Sequence, residues 1–145
     1  MSVFLRSCAA ALFLSLASTA PSVAQGGAAA TVNGEPITAR DIEQRMKVSG
    51  MLFRQPLNRA AALQELIDDR VKLAEGRRLG MRVTPQGLDE ALGRLASSAR
   101  QTLVQFEQNL IRAGIDPEQV KAKLNAQIIW GELLRQRSRS GNVSN

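Results

Sequence analysis

The sequence predicts an all-α domain, about five amphipathic helices carrying a small N-terminal β-hairpin, on three observations. Apolar residues recur at three- and four-residue spacing in five successive windows, which is the period of a helix face. Those windows are punctuated by helix starts at Thr38, Asn58, Thr84, Thr102 and Pro117 and by glycine stops at Gly80 and Gly114. A hairpin signal, Asn33-Gly34 between the apolar Val32 and Ile37, lies ahead of them. With 3% aromatic residues and neither tyrosine nor histidine, the core must be built from Leu, Ile, Val, Met and Ala.

The chain opens on Arg6, an apolar run from Cys8 to Ala20 and the small-residue ending Ser22-Val23-Ala24. A positive n-region, an apolar stretch too short to span a bilayer comfortably and small residues at −3 and −1 read as a secretory signal peptide over residues 1–24, cleaved after Ala24. Arg6 stands where a lipobox needs a small residue, so Cys8 is not expected to carry lipid. The mature chain then has about 120 residues, enough for one domain with a modest core. Cys8 is the only cysteine and leaves with the leader, so the mature chain forms no disulfide in its oxidising compartment.

The formal net charge is +6, and removing Arg6 with the leader makes it +5. The arginines are scattered among acids rather than clustered with aromatics, which argues against a nucleic-acid partner. The remaining consequence is weak attraction to anionic lipid headgroups and to acidic segments of unfolded chains.

Residues 25–30 read as a Gly/Ala linker, with order beginning near Thr31. Asn33 and Gly34 supply the two positive-φ positions of a type I′ turn, so a tiny hairpin is expected. Such a ribbon is unstable alone, and Pro36 cannot donate to a ladder, so it needs another strand or a helix to lean on. Thr38 with Asp41 makes a capping box for a first helix whose stripe is Ile42, Met46, Ser49 and Phe53, ending near Pro56. A second helix runs from about Asn58 to Leu79 with Leu63, Leu66, Ile67, Val71 and Ala74 on one side. Aspartate at Leu66 or Ile67 is expected to unfold the domain, since each buried Leu or Ile contributes about 1.5–3 kcal/mol.

Thr84-Pro85 starts a third helix through Leu88, Leu92 and Leu95. Residues 97–101 break the pattern, and Thr102 with Gln105 caps a short fourth helix of Leu103, Phe106 and Leu110. Asp116-Pro117 begins a fifth that carries Val120, Leu124, Ile128 and Leu134 beside Trp130 as far as Arg137. Residues 138–145 read as a polar, frayed tail.

Candidate chemistry is sparse. Without histidine or a mature cysteine, a Ser-His or Cys-His nucleophile and a His- or Cys-based zinc site are excluded, and no cofactor or metal is expected. Asp68 and Asp69 are adjacent, so they splay to different sides of a helix and read as solvated faces, as do Glu35, Asp41 and Glu43. Met46, Met51, Phe53, Phe106 and Trp130, with Met81, have two readings: core residues on helix stripes, which the spacing favours, or an adaptable surface for varied polypeptides, since thioethers and rings repack around different partners.

The run Val32-Asn33-Gly34-Glu35-Pro36-Ile37-Thr38 with Asp41-Ile42-Glu43-Gln44-Arg45, then Leu66-Ile67-Asp68-Asp69 and Arg78-Leu79-Gly80-Met81-Arg82-Val83-Thr84, resembles the N-terminal domain of the SurA-like periplasmic chaperones. Ala113-Gly114-Ile115-Asp116 and Gln127-Ile128-Ile129-Trp130 fit the same pattern, so the resemblance covers residues 30–137. It implies a periplasmic, all-helical holdase domain that binds unfolded outer-membrane protein segments, in a family where parvulin-type prolyl isomerase domains usually come after it. The expectation for this chain is binding without that catalysis, with residues 31–137 as the domain. A dedicated interaction subunit, or a degenerate fragment of a longer isomerase-chaperone, is the alternative. In the family a C-terminal segment completes this domain, so the hairpin's neighbour and an apolar groove are expected to stand open to client, to a second copy or to a separately encoded partner.

Overall fold

In the computed structural model, which describes residues 27–141, two short strands precede five helices. The expected leader and cleavage site, residues 25–26 of the expected linker, and residues 142–145 lie outside the described residues. β1 (Ala30–Val32) and β2 (Glu35–Ile37) pair antiparallel, Ala30 opposite Ile37 and Val32 opposite Glu35. Asn33 (φ 50°) and Gly34 (φ 82°) make the turn between them in the left-handed region that Asn-Gly favours. The ribbon begins earlier than the linker reading allows, because the Ala29 N–H also donates to the Ile37 carbonyl at 2.7 Å.

α1 (Ala39–Leu52) starts on a complete capping box: Thr38 Oγ1 accepts from the Asp41 N–H at 3.2 Å, and Asp41 Oδ2 accepts from the Thr38 N–H at 2.8 Å. α2 (Arg59–Arg78) is capped by Asn58, and α3 (Pro85–Ser98) by Thr84 with proline in the first turn, where its missing N–H costs nothing. α4 (Leu103–Arg112) has a second capping box from Thr102 and Gln105. α5 (Pro117–Gly141) runs past the predicted end at Arg137, so residues 138–141 are helical rather than frayed. Ser138 Oγ donates to the Leu134 carbonyl at 3.0 Å, and Arg139 in this turn suits the negative end of the helix dipole.

Two apolar clusters hold these elements. Ile37, Ile42, Ala62 and Leu66 join the hairpin to α1 and α2, with Ala30, Val32, Met46, Leu57, Leu63 and Ile67 packed around them. α2 is therefore the surface on which the hairpin leans; that neighbour is not left open, because Ile37 is wholly buried against it. Val48, Leu92, Ala96, Phe106, Leu110, Ile115 and Val120 join α1, α3, α4 and α5. At 25 residues, α5 packs against all four of the other helices.

The buried face of α5 is Val120, Lys123, Ala126, Ile129 and Leu133, rotated from the predicted stripe, and Leu134 is exposed. The rotation follows from close approach to α2. Ala126 is fully buried and Gly76 faces Ile129, so small residues, not the largest apolar ones, mark the contact. Val71 is exposed, against its predicted place on the buried side of α2. On α1 the buried positions are Ile42, Arg45, Val48 and Ser49; Met46 and Phe53 are half-buried at the edges of the two clusters.

Candidate functional site

A charged brace joins α1, α2 and α5. Arg45, 4% exposed, places Nη1 2.6 Å from Asp69 Oδ2 and 3.3 Å from Glu65 Oε2. Lys123 Nζ lies 2.7 Å from the same Glu65 oxygen and 5.3 Å from the centre of the Phe53 ring. Lys72 Nζ is 3.5 Å from Asp69 Oδ1. Burial raises the Glu65 carboxyl, but the hydrogen bonds and charges of Lys123 and Arg45 together carry it below its ordinary value. Every carboxylate here is held by a cation, so the cluster offers no free acid or base to a substrate.

Asp69 corrects the sequence reading. It is a partly buried ion-pair partner rather than a solvated face residue. Adjacency does place Asp68 on the other side, where Gln64 Nε2 donates to it at 2.8 Å. The spacing did carry a signal for this pair: Arg45 stands at the i+3 position from Ile42 on an otherwise apolar stripe, where a cation needs a buried partner.

The five candidate contact residues do not converge. Phe106 is 5% exposed and fills the core with Leu92 and Leu110, so it is no surface contact. Met46 packs beside the hairpin cluster and Phe53 beside the other. Met51 is exposed at the end of α1, and Trp130 lies on the outer side of α5 with Lys72 Nζ 5.8 Å from its ring centre. Met81 has a different place, in the wall of a groove.

That groove runs between the connection after α2, residues 80–84, and the middle of α5. One cavity, of about 220 Å³, is lined by Leu73, Arg77, Met81, Val83, Asn125 and Ile129. Beside it lies a second, of about 510 Å³, bounded by residues 80–84 together with Ile128, Ile129 and Glu132. Gly80 (φ 72°) turns the chain out of α2, and the Met81 N–H donates back to the Gly76 carbonyl at 2.8 Å, which aims the connection along α5. Among the described residues no group of three or more His, Cys, Asp or Glu is placed to hold a metal ion, and no helix is long and apolar enough to cross a membrane.

Fold and groove together define a small helical domain whose accessible chemistry is apolar contact and cationic hydrogen bonding. The chain belongs to the SurA-like N-terminal domain family, whose pattern matches residues 1–134. It is 31% identical over 135 residues to the chaperone SurA of Aromatoleum aromaticum, covering 88% of this chain and 31% of that protein. To the chaperone SurA of Bordetella pertussis it is 29% identical over 125 residues, covering 81% of this chain and 24% of that one. Among solved structures, one from work on PEB4 and Cj1289, two structurally related SurA-like chaperones of Campylobacter jejuni, is 27% identical with a TM-score of 0.43, covering 73% of this chain and 40% of its own. The chain thus spans about a quarter to a third of the length of the curated relatives named here.

Proposed function

We propose that this protein is a periplasmic chaperone domain of the holdase type, which binds segments of unfolded polypeptide, outer-membrane proteins among them, and carries out no bond chemistry itself. In this reading residues 1–24 are the export signal and residues 31–137 the binding domain. The family membership and the relatives named as chaperones support it. The observation that carries it is the groove between residues 80–84 and α5, lined by Leu73, Met81, Val83 and Ile129 and rimmed by Arg77 and Arg82. An unfolded chain presents the matching chemistry, apolar side chains and unpaired backbone.

The test is aggregation of a urea-unfolded outer-membrane protein diluted with an equimolar amount of the chain. Slower growth of light scattering is the expected result; an unchanged rate sinks the holdase reading. A second reading, a subunit dedicated to one partner or to a second copy, is favoured by Val104 and Ile111, each 63% exposed and seven residues apart on the outer face of α4. Crosslinking in living cells separates the two: many unfolded clients for the first, one stoichiometric partner for the second.

A further inference from the structure

Three cavities meet at Val83. It lines the two already described and a third, of about 310 Å³, beside Leu88 and Lys121. On one side of it the Met81 N–H is bonded to Gly76, and on the other the Thr84 carbonyl accepts from the Leu88 N–H at 3.0 Å as α3 begins. Between these anchors Arg82 and Val83 make no backbone hydrogen bond among the described residues, although the chain there is neither helix nor paired strand. Beneath them the buried Asn125 Oδ1 also has no hydrogen-bond partner among the described residues. Of these groups the Asn125 oxygen is the buried one, and a buried polar atom without a partner is costly in a finished structure.

The charges of the groove have a sign. Arg82 is exposed and has no acidic partner among the described residues. Arg77 has a 3.5 Å contact with Glu35, a carboxylate that Arg70 holds more closely at 2.9 Å. Of the acids around Val83, Glu132 is taken by Arg135 at 2.7 Å, and Asp89 and Glu118 of the third cavity are both held by Lys121, at 2.7 and 3.2 Å. The groove therefore offers two guanidinium groups to an incoming carboxylate.

We propose that Arg82-Val83 is a docking strand for an extended polypeptide in which an acidic residue stands next to an apolar one. This rests on the chaperone reading above and specifies its ligand. A strand laid beside Arg82 and Val83 pairs with their free N–H and C=O groups. Because side chains alternate along such a strand, one apolar side chain enters the cavity walled by Leu73, Met81 and Ile129 while its acidic neighbour faces Arg82. A second copy of this chain is the poorer occupant, since two molecules of net positive charge repel.

The probes are two short, capped synthetic peptides, one alternating leucine with aspartate and one alternating leucine with lysine, titrated against the full chain at low salt. The aspartate peptide is expected to bind on the order of tenfold tighter, and the difference to shrink as salt is raised. Arg82→Glu should abolish or reverse that preference with an unchanged thermal midpoint, because Arg82 has no partner to lose. Hydrogen exchange at the amides of residues 82 and 83 should slow when the aspartate peptide is added. Equal binding of the two peptides, or an aspartate preference untouched by Arg82→Glu with no protection at residues 82 and 83, overturns the docking strand. If aggregation of the unfolded outer-membrane protein is still slowed in that case, the chaperone reading survives alone; if it is not, both fall.

Discussion

Gly76 in α2 lies against Ile129 in α5 so closely that a Cβ on the glycine would run into the Cγ2 methyl of the isoleucine. Glycine in the last turn of the 20-residue α2 costs up to about 1 kcal/mol in helix propensity, which alanine would normally recover in part. Here the clash has the opposite sign and is larger. Cγ2 branches directly from Cβ, so it moves aside only if Ile129 leaves the χ1 rotamer that a helix favours or α5 shifts. Gly76→Ala is expected to lower stability by about 1–3 kcal/mol, read from the urea midpoint at constant slope. A stabilised Gly76→Ala would show that the two helices can part at no cost.

The ion pair between Arg45 and Asp69 sets a second expectation. Removing Asp69 leaves a 4%-exposed guanidinium with only the longer contact to Glu65, so Asp69→Ala should cost about 3 kcal/mol. Arg45→Met replaces the buried cation with an apolar chain of similar reach and should cost less. The double variant should be more stable than Asp69→Ala alone, giving a coupling of about 1–3 kcal/mol in chemical denaturation. Additive losses would mean that the two side chains do not share their energy.

Glu65 gives the brace a pH dependence. Its carboxyl is lower in the folded protein than its ordinary value of 4.5, so the folded state binds the proton less readily than the unfolded state does. The stability this contributes is present above pH 4.5 and is lost as the pH falls through the depressed folded value. Thermal midpoints should therefore fall on acidification below that point, and less steeply in Glu65→Gln than in the parent. An identical acid slope in the two proteins would place the sensitivity at other carboxylates.

Turns and caps were the legible part of this fold, because their chemistry is local. Asn33-Gly34, the Thr38 and Thr102 capping boxes and the Thr84-Pro85 start each depend on residues within four positions of one another. Helix faces were legible only where the largest apolar residues are also the buried ones, as in Phe106 and Leu110 of α4. Where α2 meets α5, burial went to Gly76, Ala126 and Lys123, for which apolar periodicity has no signal. The groove was hidden for another reason. It depends on a five-residue connection crossing α5, a relationship between residues 83 and 129 that no spacing along the chain encodes.

Ser49 on α1 is 1% exposed, and its hydroxyl has no hydrogen-bond partner among the described residues. A buried polar atom left unpaired costs about 1–3 kcal/mol, whereas the methyl of alanine fills nearly the same space. Ser49→Ala should therefore raise the urea midpoint, by up to about 1 kcal/mol once the small lost volume is counted. A drop would show that the hydroxyl has a partner in solution.

Phe106 and Met51 put the two readings of the aromatic and thioether residues side by side. Phe106 is 5% exposed among Leu92 and Leu110, and truncating it leaves a cavity, so Phe106→Ala should cost about 3–5 kcal/mol. Met51 is 59% exposed at the end of α1, and Met51→Ala should stay within about 0.5 kcal/mol of the parent. The two should also part in the aggregation assay. Below its own unfolding transition the Phe106 variant should retain the parent's protection of an unfolded protein, because the ring never reaches the surface. Met51→Ala should weaken that protection only if clients spread beyond the groove onto the end of α1.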